Sequence, residues 1–142
     1  MKLPVMLSVK GVQHYQEQDP ETIELVTEGI LEDTANGWML TYEESELTGL
    51  AGVTTTFQVE PACVTLSRTG PLSSTMVFRE GEIHESLYKM EFGALLLTVC
   101  ASKVDWNLGP NGGTIDLTYA IEIEQSAAGV IDYHLTIQPI QK

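Results

Sequence analysis

Polar and apolar residues alternate along most of this chain with a period of two. The clearest stretch is Thr114 to Glu124, where Ile115, Leu117, Tyr119, Ile121 and Ile123 share one face. Thr114, Asp116, Thr118, Glu122 and Glu124 share the other. Strict alternation of this length predicts a strand with one dry and one wet side. The last segment repeats it, with Ile131, Tyr133, Leu135 and Ile137 against Asp132, His134, Thr136 and Gln138. Leu3-x-Val5-x-Leu7-x-Val9, Ile23 to Leu31, Trp38-x-Leu40-x-Tyr42 and Val53-x-Thr55-x-Phe57-x-Val59 read the same way. Shorter runs follow at Val64/Leu66, Met76/Phe78 and Ile83 to Met90. Ala94 to Val104 is apolar on both faces through Leu95, Leu96, Leu97 and Val99, which predicts a strand covered on both sides or lying in an oligomer contact.

Turn chemistry separates these runs. Asn36-Gly37, Glu80-Gly81, Asn111-Gly112-Gly113 and Ala128-Gly129 supply the positive φ that tight hairpins require. No segment is a convincing amphipathic helix, and at most one short helical turn is expected. About ten short strands joined by short connections predict a sandwich or a barrel, and the scarcity of long connections favours a meander. A meander of this many strands protects its edges by closing. The expected fold is all-β, a single closed antiparallel up-and-down barrel of eight to ten strands spanning residues 1–142, wide enough for packed side chains or one small ligand.

Composition narrows the partners. The chain has 142 residues, 7 Lys and Arg against 20 Asp and Glu, and a formal net charge of −13. That charge disfavours nucleic acid, whose binding needs clustered Lys and Arg, and equally an anionic membrane surface. No apolar run is long enough for a transmembrane helix, and residues 1–10 lack the pattern of a cleaved signal, so a cytoplasmic protein is expected. Cys63 and Cys100 have no metal-ligand spacing and are read as small buried hydrophobes. His14, His84 and His134 are read as surface histidines, with no metal site and no cofactor.

Three blocks of sequence resemble a known family. Tyr42-Glu43-Glu44-Ser45-Glu46 followed by Gly49 and Thr54-Thr55-Thr56, then Leu66-Ser67-Arg68-Thr69-Gly70 with Met76-Val77-Phe78, then Gly113 to Tyr119, are similar to the YwiB family of bacterial proteins, a domain of unknown function (DUF1934). The resemblance spans nearly the whole chain in the same block order. It implies a lipocalin- or calycin-like barrel in a cytoplasmic bacterial protein and brings no activity with it. Tyr88-Lys89-Met90-Glu91-Phe92-Gly93 departs from the family's Tyr-x-Thr-x-Tyr-Gly, with Met90 and Phe92 in place of two hydroxyl-bearing residues.

Facing identifies the candidate site. Continuing the alternation from Trp38, Leu40 and Tyr42 puts Glu44 and Glu46 on the apolar face, and continuing it from Val64 and Leu66 puts Arg68 there. A charge on a dry face must be paired or must serve a ligand. One reading is an internal Arg68–Glu44 or Arg68–Glu46 pair closing one barrel end. Another is a cluster recognising a small polar or anionic molecule, with Tyr42, Tyr88 and Tyr119 as further hydrogen-bonding groups. A third is a bulge near Ser45-Glu46 that turns the glutamates into water. Glycoside hydrolysis has little support. Glu43 and Glu44 point to opposite faces, and the ~6–7 Å between Glu44 and Glu46 is what strand rise alone produces.

Three functions therefore compete. A small-molecule-binding barrel requires a continuous cavity of roughly 300 Å³ or more, and an interior filled solid by Trp38, Phe57, Met76 and Phe78 would exclude it. A protein-interaction module without a ligand would use the outer wall around Leu95 to Val99, with a homodimer as one form of it. A carboxylate enzyme would use Glu44 or Glu46 beside Arg68, but no residue stands out as a nucleophile.

Overall fold

The computed structural model describes residues 2–14, 19–44, 52–90 and 93–140. Ten strands make one antiparallel sheet. They are β1 (Lys2–His14), β2 (Glu21–Asp33), β3 (Trp38–Glu43), β4 (Thr54–Glu60), β5 (Cys63–Thr69), β6 (Ser74–Phe78), β7 (Ile83–Met90), β8 (Gly93–Gly109), β9 (Gly112–Ile123) and β10 (Ser126–Pro139). The spatial order is β6-β5-β4-β3-β2-β1-β10-β9-β8-β7. Every two consecutive strands except β6 and β7 are thus neighbours in the sheet, and the first and last strands join from Val5 opposite Pro139 to His14 opposite Val130. This is the expected meander, curled into a nearly closed barrel.

Closure is incomplete at the β6–β7 seam. Among the described residues a single bridge spans it, in which Ser73 and Lys89 exchange both backbone hydrogen bonds at 2.8 Å. The Glu80-Gly81 connection, expected as a tight hairpin, instead leads the chain towards β8. Gly81 N–H donates to Ala101 O at 2.9 Å, and the Glu80 carboxylate accepts from Val104 N–H at 3.0 Å. Those bonds flank a bulge between Ala101 and Lys103. The bulge also shifts the inward face of β8 from odd to even positions, so Leu97, Val99 and Ala101 point in, followed by Val104 and Trp106.

A second difference concerns the last hairpin. Its turn is Glu124-Gln125, both with positive φ (51° and 68°), rather than Ala128-Gly129. Ala127 to Gly129 carries a β-bulge in the β9–β10 ladder instead. Two non-glycine residues at positive φ give a primed turn that no Asn-Gly or Gly-Gly signal announces.

The interior face divides along the barrel axis. Towards the end carrying the β2–β3, β4–β5 and β8–β9 connections it is packed solid. Phe57, Phe78, Leu40, Leu31, Leu66 and Ile115 are fully buried there or close to it, each contributing roughly 1.5–3 kcal/mol by burial. Trp38, Trp106 and Leu108 pack against this core, and the Trp106 indole N–H donates to Glu60 O at 3.0 Å. Cys63 is buried and Cys100 half-buried, and both are free thiols.

Candidate functional site

Register builds the polar part of the interior. Tyr42 lies opposite Thr55, Thr55 opposite Arg68, and Arg68 opposite Ser74. One row across β3, β4, β5 and β6 therefore carries four polar side chains on the inward face. Gly29 continues the row onto β2, opposite Tyr42. A Cβ at Gly29 would lie 2.7 Å from Thr41 O and 3.2 Å from Tyr42 Cβ, so glycine lets β2 and β3 meet at this level.

Glu44 extends the row one step beyond β3. Its backbone N–H donates to Val53 O at 2.8 Å, and its carboxylate accepts from Thr55 Oγ1 at 3.1 Å. It is only 8% exposed, so the alternation does carry it inward. Glu46 lies outside the described residues. Arg68 Nε does not engage Glu44: it is buried and has no hydrogen-bond partner. Ser74, 5% exposed, has a buried Oγ that is likewise unpartnered. Each unpaired buried polar group costs ~1–3 kcal/mol.

The opposite wall supplies Tyr119 from β9 and Tyr133 from β10. Tyr42 and Tyr133 share a hydroxyl–hydroxyl hydrogen bond of 3.2 Å. Beneath these phenols an aromatic layer separates the solid core from the space above it. Tyr42 stacks on Phe57 with ring centroids 6.4 Å apart, Phe57 meets Tyr133 at 5.8 Å, and Phe78 meets Tyr119 at 4.6 Å. Such pairs add ~0.5–1.5 kcal/mol each beyond burial.

Above this layer lies a cavity of about 370 Å³. Tyr42, Glu44, Arg68, Tyr88 and Tyr119, all expected from the sequence, line it together, joined by Ser74 and Tyr133. The remaining lining is mostly apolar, from Val9, Leu25, Met76, Leu97, Ile121 and Ile131, with Ile23 and Ile123 exposed towards the rim. The interior is thus neither filled solid nor polar throughout. Tyr133 and Thr55 were recognisable as inward-facing from the alternation but not as site residues. Ser74 was the least visible, since only the Met76–Phe78 alternation extended backwards reaches it.

Several groups have no counterpart in this site. Among the described lining residues Glu44 is the one carboxylate, so no acid pair is assembled there. Among the described residues no group of three or more His, Cys, Asp and Glu is placed to hold a metal ion. His14 and His134 are on the surface as expected, bonded to Asp132 and Asp116 respectively. His84 corrects the surface reading: it is half-buried, and its Nδ1 is buried without a partner. β7 alternates His84, Ser86 and Tyr88 towards the interior, which a lone sequence histidine does not reveal.

Burial first of all holds the three inner phenols above the ordinary tyrosine range, with Arg68 opposing that shift. Their un-ionised form therefore stabilises the fold fully below the ordinary phenol pKa of about 10, and that contribution is lost as pH rises through the raised values. Replacing Tyr119 with Phe should leave the tyrosinate absorbance gained between roughly pH 9 and pH 11 unchanged while far-ultraviolet dichroism stays native. Any loss of that amplitude would show that Tyr119 titrates as a solvated phenol.

Comparison with known proteins agrees with this architecture. A crystal structure of the ywiB protein from Bacillus subtilis superposes with a TM-score of 0.88 at 25% sequence identity, covering 99% of this chain and 94% of that one. No curated protein matches the chain. The model of the DUF1934 family, a domain of unknown function, matches residues 7–137. With nearly every strand and the whole cavity wall inside that match, the chain belongs to the DUF1934 family.

Proposed function

We propose that this protein is a binding barrel that holds one small polar or anionic molecule in the half of its interior not filled by side chains. One observation carries the reading: Arg68 Nε and Ser74 Oγ are buried, without a protein partner, on the wall of a 370 Å³ cavity. Ligand sites are typically cavities of about 300–1,000 Å³, mostly apolar, with a few convergent polar groups. The buried Arg68 Nε–H is left without an acceptor, and an unpaired buried donor is costly. Two free cysteines suit a reducing compartment, and we place the protein in the cytoplasm. Protein purified gently from cells and extracted with organic solvent should release one small molecule in near-stoichiometric amount. Ile131→Trp, which fills the cavity, and Arg68→Gln should both lose it. Equal yields from wild type and the two variants would refute the reading.

A second reading is favoured by the outer wall. Ile83, Cys100, Ala120 and Val130 lie directly opposite one another across β7 to β10. Ile83 is 69% exposed and Val130 40%. This apolar row fits contact with a second copy of the chain. On that reading wild type sediments as a dimer and Ile83→Lys as a monomer, whereas a monomeric wild type at tens of micromolar would count against it.

A further inference from the structure

We infer that the ligand is an amphipathic monocarboxylate of about a dozen non-hydrogen atoms, its carboxylate on Arg68 and Ser74 and its apolar body against the facing wall. This rests on the proposed binding role and adds to it the chemical class of the ligand.

The donor and acceptor inventory sets the head group. The Arg68 guanidinium has only donors to offer, and its buried Nε–H is unmatched. Ser74 Oγ, nine-tenths or more buried, lines the same cavity without a partner. Tyr42 and Tyr133 spend one phenol proton on each other and keep one to donate. The acceptor-only group of the cavity, Glu44, already receives the Thr55 hydroxyl. What is missing is an acceptor, and a guanidinium with neighbouring hydroxyls suits a carboxylate. A dianionic head such as a phosphate is disfavoured, since Arg68 is the one cation among the described lining residues and Glu44 stands in the same cavity.

The distribution of polarity sets the body. Glu44, Arg68 and Ser74 come from the β3–β6 side. Leu25, Leu97, Ile121 and Ile131 come from β2, β8, β9 and β10. A ligand polar throughout would leave its far side against hydrocarbon, at a cost for every unpaired group. A hydrocarbon would leave the Arg68 Nε–H unmatched. At about 30 Å³ for each water-sized group, 370 Å³ takes about a dozen, which is the size of decanoate.

The test is calorimetric titration of the full chain with decanoate, decanol, decylamine and acetate, alongside Arg68→Gln and Ser74→Ala variants of verified thermal stability. Decanoate should bind at least tenfold more tightly than decanol or decylamine, and acetate should not register. Arg68→Gln should weaken decanoate about tenfold to a hundredfold, the worth of a charge-assisted bond, and leave decanol unchanged. Ser74→Ala should weaken decanoate several-fold. Decanol or decylamine binding as tightly as decanoate, or indifference of decanoate to Arg68→Gln, would overturn the ligand class while leaving the binding barrel intact. Failure of all four probes alongside a molecule extracted from cells would likewise overturn the class alone. Failure of the probes with nothing extracted would overturn both.

Discussion

The strand register from β3 to β6 is the constraint on which the site depends. Side chains in a strand change face at every residue, so a slip by one position would carry Tyr42, Thr55, Arg68 and Ser74 from the interior to water. The same slip would expose Leu40, Phe57, Leu66 and Met76, their inward neighbours two positions along. The core therefore holds the polar row in place. Arg68 stays on the inward face because the apolar residues on its strand cannot leave it.

That coupling also explains the division of the interior. At one end Phe57, Phe78 and the two tryptophans fill the barrel as in any small β protein, and the stability resides there. At the other end the lining residues leave a cavity between them, and some of the polar atoms among them are unpaired. Natural folds accept such costs where a site requires them. The aromatic layer of Tyr42, Phe57, Tyr133, Phe78 and Tyr119 joins the two halves, with its hydrocarbon packed into the core and its hydroxyls directed to the cavity wall. The seam between β6 and β7, bridged by Ser73 and Lys89, leaves two strand edges next to this layer, and His84 and Ser86 place buried, unpartnered atoms on the β7 side.

The fold was legible because period-two alternation is a strong and redundant signal, present in most strands from Leu3-x-Val5 to Leu135-x-Ile137. The inward position of Arg68, Glu44, Tyr42 and Tyr119 followed from the same alternation, whereas Tyr88 lies inward although the apolar Ile83 and Leu87 of its strand are exposed. What alternation cannot convey is which inward residues meet across the barrel. Tyr133 is as regular as Ile131 beside it, and only the closing of β10 onto β1 brings it to Tyr42. Backbone features without a sequence signature were missed for a similar reason. Glu124-Gln125 adopts a turn that its side chains do not favour, and the bulge at Ala101 to Lys103 is flanked by bonds to the distant chain segment around Glu80. The cavity itself is a difference between the volume enclosed and the volume filled, which no local pattern encodes.

The most direct test of the account is a crystal structure of the protein purified without denaturing or extensive washing. The account predicts non-protein density in contact with Arg68 Nε and Ser74 Oγ, extending over Leu25 and Ile131. An Arg68 side chain turned onto Glu44 in a closed ion pair, with Tyr88 and Leu97 collapsed into the cavity, would contradict it.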